Sequence, residues 1–260
     1  LLRQRNDAGD DRHYLRDRCR YVSLAEVPMQ ITAESKVADI AAASPATIKV
    51  FQRHHIDFCC GGKMPLAEAC SRHAVDPGAL LAELRSAQSS APDPTDWRVE
   101  TLAALTAHIQ ERYHVPLRLE LPRLAAMLAK VVDRHGERLP EALPLRQTFE
   151  DLSSELIEHM AREDAVLFPL IVELEAGNEP DAGPASTAWI RQIVEKMVAE
   201  HDAAGAALRA MREMTGDYTP PEWACPTLLG LYHGLAELER EMQVHVHLEN
   251  AILFPRASER

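Results

Sequence analysis

Two eleven-residue stretches pair an imidazole with a carboxylate in the same way: HMAREDAVLFP, beginning at His159, and HVHLENAILFP, beginning at His245. Residues four apart in a helix stand one above the other, so His159 with Glu163, and His245 with Glu249, each present two metal ligands on one face. A single His-x-x-x-Glu is usually a surface pair worth a few tenths of a kcal/mol. Two copies with the same Leu-Phe-Pro tail point to a shared purpose. His114, in ERYHVP, and His201, in AEHDAAG, complete the pattern: 45 residues separate His114 from His159, and 44 separate His201 from His245. The chain reads as a helical hairpin used twice, packed about a pseudo-two-fold axis.

Four histidines and two glutamates are more than one tetrahedral zinc takes. The set suits two ions bridged by both carboxylates, and imidazole with carboxylate in a bundle core favours a non-haem di-iron pair with an oxo or hydroxo bridge. Each Leu-Phe is expected to pack in the core, and Pro169 and Pro255 to end or kink their helices just beyond the ligands. Glu200, beside His201, reads as a solvated helix position or as a residue lining access to the site. His108 and His247 are expected at the surface, since their spacing points them away from His114 and His245. His135 lies 21 residues past His114, about 31 Å along an unbroken helix and too far to join it. His54, His55, His73 and His233 show no partner pattern.

The elements that must position these ligands are four helical segments, at roughly 97–135, 141–176, 185–215 and 225–250, separated by HGERLP, AGNEPDAGP and TGDYTPPEW. Short connections make an up-down four-helix bundle, with Pro116 and Pro122 kinking or interrupting the first segment. The fold class is all-α: a mobile polar tail over 1–32, a small helical domain over 33–88 and the bundle over 97–260. AQSSAPDPTDW has the composition of a linker between the two domains. In the small domain, Ser44 is placed to cap a helix that Pro45 begins.

The small domain carries a second unusual stretch, HHIDFCCGGKMPLAEAC. Adjacent cysteines bond each other only with strain, so Cys59 and Cys60 read as free thiols made accessible by a flexible Gly61-Gly62 turn. The plain alternative is a small apolar pair beside a turn. A functional pair would take metal, sense redox state or dock a client, with Lys63 lowering a thiol pKa.

Composition excludes several classes. A net charge of −12 disfavours nucleic acid and anionic membranes as partners, and 46% hydrophobic residues support a real core. No apolar run reaches the length of a membrane span, and the N-terminal residues carry no apolar signal core. Five cysteines without the even spacing of a disulfide framework fit a reducing cytoplasm.

With both stretches in hand, the sequence resembles the iron-sulfur cluster repair di-iron proteins, the repair of iron centres family, over nearly all of the chain after about residue 33. DFCCGG is similar to that family's short N-terminal domain; RYH, H-x-x-x-E with LFP, EHD-x-AG and H-x-x-LEN-x-x-LFPRA are similar to its hemerythrin-like domain. The resemblance implies His114, His159, His201 and His245 as terminal ligands of two non-haem irons, with Glu163 and Glu249 bridging. It implies a cytosolic role in restoring clusters damaged by oxidative or nitrosative stress, with damaged or apo iron-sulfur proteins as partners. Donation of iron, with Cys59 and Cys60 as a thiol relay, is the first mechanism that fits. Reduction of nitric oxide at the di-iron site is the enzymatic alternative, and hemerythrin-like binding or sensing of NO or O2 the third. A homodimer is compatible with all three.

Overall fold

The computed structural model describes residues 29–89, 95–177 and 187–259. Most of the expected polar tail, residues 1–28, lies outside them. The tail's last residues do not behave as expected: Ile31 is buried, and its carbonyl accepts a hydrogen bond from Arg85 at 2.9 Å.

Four short helices come next: α1 (Val37–Ala43), α2 (Ile48–Arg53), α3 (Leu66–Arg72) and α4 (Pro77–Gln88). They enclose Phe51, Phe58, Leu66, Leu80 and Leu84. Asp76 caps α4, its carboxylate accepting from the Ala79 N–H at 2.7 Å with Pro77 in the first turn. Ser44 does not cap through its side chain; its carbonyl instead accepts from the Thr47 hydroxyl at 2.7 Å, within a 3-10 turn that leads into α2. The loop from Asp57 to Lys63 is tightly fitted. A Cβ on Gly62 would lie 2.5 Å from the Phe58 carbonyl oxygen and 2.7 Å from Ala38 Cβ, so this glycine permits close packing rather than the expected flexibility.

The larger part is built from α5 (Leu102–Ile109), α6 (Val115–His135), α7 (Ala142–Arg162), α8 (Phe168–Glu175), α9 (Thr187–Met214), α10 (Pro226–His247) and α11 (Phe254–Ser258). α6 packs on α7, α7 on α9, α9 on α10 and α10 back on α6, closing a four-helix ring. Leu121, Leu124, Phe149, Leu152, Met211, Leu231 and Leu235 fill its centre, on stripes of three-to-four spacing. Glu175, at the end of α8, accepts from the Leu102 and Ala103 N–H groups at 2.8 and 2.9 Å, which ties the returning hairpin to the start of α5.

Where the sequence suggests helices broken by proline, the chain instead runs on through three π-helical turns: Gln110–His114 between α5 and α6, Glu163–Leu167 between α7 and α8, and Leu248–Leu253 between α10 and α11. Pro116, Pro169 and Pro255 lie just beyond these turns. In each case the carbonyl four residues back, which proline cannot bond and would crowd, belongs to the wide turn. Pro122 stays inside α6, on its exposed face. Among the described residues no helix is long and apolar enough to cross a membrane.

Candidate metal centre

The wide turns matter because they carry three of the expected ligands. His114 closes the first, Glu163 opens the second and Glu249 is the second residue of the third. Widening a turn by one residue rotates the helix beyond it, a device common at functional sites. His201 and His159 come from regular stretches of α9 and α7, and His245 from the last turn of α10.

All six expected ligands converge. His114, Glu163, His245 and Glu249 form one group whose ligand atoms lie within 4.8 Å of one another; His159, Glu163, His201 and Glu249 form another. Both carboxylates are thus shared, and each turns one oxygen to each group. Glu163 Oε2 lies 3.4 Å from His114 Nε2 while its Oε1 lies 3.3 Å from His159 Nε2. Glu249 Oε1 lies 3.0 Å from His245 Nε2 while its Oε2 lies 3.1 Å from His201 Nε2. The imidazoles also meet in pairs, His114 with His245 at 3.1 Å and His159 with His201 at 3.0 Å between Nε2 atoms.

Glu163 and Glu249 are both 0% exposed, yet neither Glu163 oxygen, nor Glu249 Oε2, has a hydrogen-bond partner of good geometry. Buried carboxylates left this way are costly, and the four imidazole Nε2 atoms gather 3.0–3.4 Å from their oxygens. A divalent cation receiving all these lone pairs removes the cost, so the donor set fits a metal. Imidazole with carboxylate suits a first-row transition ion better than calcium or magnesium. Burial depresses the imidazoles of His114, His159 and His201, but the adjacent carboxylates outweigh it, raising all three and His159 to about 9. Burial, and for Glu163 the charge of Glu249, push the two carboxyls up, but the imidazoles hold both below their usual value.

The outer ring orients the inner one. His114 donates from Nδ1 to Asp164 at 2.8 Å, His159 to Glu200 at 2.7 Å and His201 to the Asn250 side-chain oxygen at 2.9 Å, which directs each Nε2 inward. Arg118 secures Asp164 at 2.5 Å and Arg162 secures Glu200 at 2.6 Å. Glu200 keeps 30% of its side chain exposed and is held in place as the partner of His159 and Arg162. The phenylalanines of the two Leu-Phe-Pro tails lie in the core as expected and stack on ligands: Phe168 on His114 with ring centroids 5.6 Å apart, and Phe254 on His201 at 5.9 Å. Asp164 and Asn250 are missing from the ligand pattern read in the sequence. Each directly follows its glutamate in the repeat, and that equivalence is the signal that could have found them.

His247 is buried rather than at the surface. It donates from Nδ1 to the Phe58 carbonyl at 3.3 Å, beneath the small helices, and burial lowers its pKa to about 4. His108 is half-buried against Trp97, with ring centroids 4.3 Å apart. His135 lies away from the centre, 3.2 Å from the Cys225 sulfur.

Cys59 and Cys60 are free, half-buried thiols with sulfurs 3.6 Å apart. Cys60 Sγ reaches the His201 carbonyl at 3.4 Å, so the pair adjoins the helix that carries a ligand. The hydrogen bond with Cys60, burial and the charge of Asp57 push the Cys59 thiol well above its ordinary value, opposite to the lowering expected from Lys63.

Residues 105–257 match the family model of the hemerythrin HHE cation binding domain, and residues 33–88 match the ScdA_N domain of unknown function. The chain is 38% identical over 218 residues to the iron-sulfur cluster repair protein YtfE of Yersinia pseudotuberculosis serotype IB (strain PB1/+), covering 84% of this chain and 94% of the relative. It is 35% identical over 228 residues to the iron-sulfur cluster repair protein ScdA of Staphylococcus haemolyticus (strain JCSC1435), covering 88% and 100%. Fold and site define a hemerythrin-type cation-binding protein of helical build. Within that class, the chain belongs to the family of iron-sulfur cluster repair proteins.

Proposed function

We propose that this chain holds two iron ions between its four histidines and two glutamates, and that it repairs iron-sulfur clusters damaged by oxidative or nitrosative stress by giving up iron to them. The observation that carries the reading is the sharing of Glu163 and Glu249 between two ligand groups, in a chain 38% identical to a named cluster repair protein. Bound there, iron supplies a ferrous store whose ligands can be exchanged for those of a client.

The chain's own residues favour release as well as binding. Every inner ligand is a single imidazole or a shared carboxylate, and none is a thiolate. A sulfur-rich acceptor therefore competes well for the cargo. Cys59 and Cys60 are read as a thiol relay for the iron, a reading supported by the 3.4 Å contact of Cys60 Sγ with the His201 carbonyl on α9. The partners are apo or damaged iron-sulfur proteins. The free thiols among the described residues suit a reducing compartment such as the cytoplasm.

The test is transfer. Anaerobic iron-loaded protein is mixed with an iron-depleted cluster enzyme in thiol-reduced buffer containing a ferrous chelator that captures free ions. Reactivation of the enzyme, with matching iron loss from this chain, is expected despite the chelator. Reactivation no better than with ferrous salt would overturn iron donation.

A further inference from the structure

Among the described residues, a further cluster of ligand-type side chains lies outside the buried centre. We infer that Asp57, Cys59 and Cys60 form a separate site for a single thiophilic divalent cation, through which iron passes to or from the bundle. It deepens the iron-donation reading and rests on it for the direction of traffic.

The ligand atoms of the three residues lie within 4.8 Å of one another. Their loop is built to keep them there. Asp57 Oδ1 accepts from the Cys59 and Cys60 N–H groups at 3.1 and 2.9 Å and from the Cys59 thiol at 3.3 Å, and Arg209 lies 3.5 Å from Oδ2. Gly62 closes the loop at a contact distance no side chain would tolerate. Strain opposes a disulfide between neighbouring residues, so the pair stays available as two sulfurs.

Two thiols and a carboxylate make a three-donor set with a position to spare. Such a set suits Fe2+, Zn2+ or Co2+ and discriminates against calcium and magnesium. On binding, each thiol gives its proton to solvent and the cation keeps its charge, so no oxidant or reductant enters. The site shares a narrow cleft with His201 and Gly205. Gly205 leaves the Cys60 sulfur room, since even a Cβ there would sit 3.4 Å away. Asn250 adds a direct link, donating to the Cys59 carbonyl at 3.2 Å while accepting from His201.

The experiment titrates Co2+ into the whole chain after anaerobic iron loading and a brief chelator wash that leaves only the bundle's iron, following thiolate-to-cobalt charge-transfer absorption and total metal. One additional equivalent per chain with that absorption is expected. Cys59→Ser/Cys60→Ser should lose the absorption and keep the bundle's iron. Asp57→Asn preserves the oxygen that folds the loop but removes the charge, and should weaken cobalt binding about tenfold or more. No extra equivalent, or an absorption that survives the double serine variant, would overturn the site. Unchanged affinity in Asp57→Asn would reduce Asp57 to a turn-former and overturn the three-ligand assignment. The absorption requires sulfur ligands, so failure of the bundle to hold iron would be seen separately in the metal count.

Discussion

The side chain of Asn250 joins a ligand histidine to the thiol loop: its Oδ1 accepts from His201 Nδ1 at 2.9 Å and its Nδ2 donates to the Cys59 carbonyl at 3.2 Å. Asn250→Leu removes both bonds and leaves the imidazole without an orienting partner. Metal affinity measured by chelator competition should fall roughly 10- to 100-fold. Asn250→Asp keeps the acceptor for His201 and should retain metal, while losing the donor to Cys59. Wild-type affinity in Asn250→Leu would contradict this role.

The two halves of the centre are not equivalent. The residue before His201 is Glu200, which accepts from His159 Nδ1; the residue before His114 is Tyr113, which stacks on His245 at 5.2 Å. His245 Nδ1 has no hydrogen-bond partner. Each half has one imidazole backed by a carboxylate, His114 by Asp164 and His159 by Glu200, so the halves differ in that Asn250 orients His201 while nothing orients His245. An oriented imidazole is the better ligand, and the ion beside His114 and His245 should leave first. Chelator extraction of the wild type is expected to be biphasic, and Asn250→Leu, which leaves His201 as unpartnered as His245, should bring the phases together. A single phase in the wild type would show that the difference carries no energetic weight.

His247 gives a pH signature. Its pKa of about 4 in the folded chain, where burial is the cause, lies below the ordinary value of 6.5. The folded state therefore prefers the neutral ring. The associated stability is fully present above pH 6.5 and is lost as the pH falls from there through about 4. The amount is roughly 3 kcal/mol from the size of the shift. Denaturant melts of wild type and His247→Leu across that range should differ in slope, the variant losing less stability on acidification. Parallel curves would contradict a neutral buried His247.

The cluster of six side chains was legible in the sequence because the pattern is repeated: His159 to Glu163 and His245 to Glu249 announce a helix face twice, and the spacing back to His114 and His201 supplies the rest. The all-α bundle was legible from its periodicity and breakers. The π-helical turns were not. Pro116, Pro169 and Pro255 signal that the regular ladder is interrupted, but whether a helix stops, kinks or widens depends on what it packs against, and here the ligands and Phe168 and Phe254 hold it together. The burial of His247 was hidden for a similar reason: its covering group, the Phe58 carbonyl, lies 189 residues away in the chain. Helix spacing places it off the ligand face but says nothing of what else packs there.

The central claim is a pair of irons bridged by Glu163 and Glu249. The most direct measurement is elemental analysis with a Mössbauer spectrum on anaerobically purified protein, beside a Glu163→Leu/Glu249→Leu variant checked for retained helicity. About two irons per chain as a coupled pair, lost in the folded variant, is the predicted result. One zinc, no metal, or a pair of irons that survives loss of both carboxylates would contradict it.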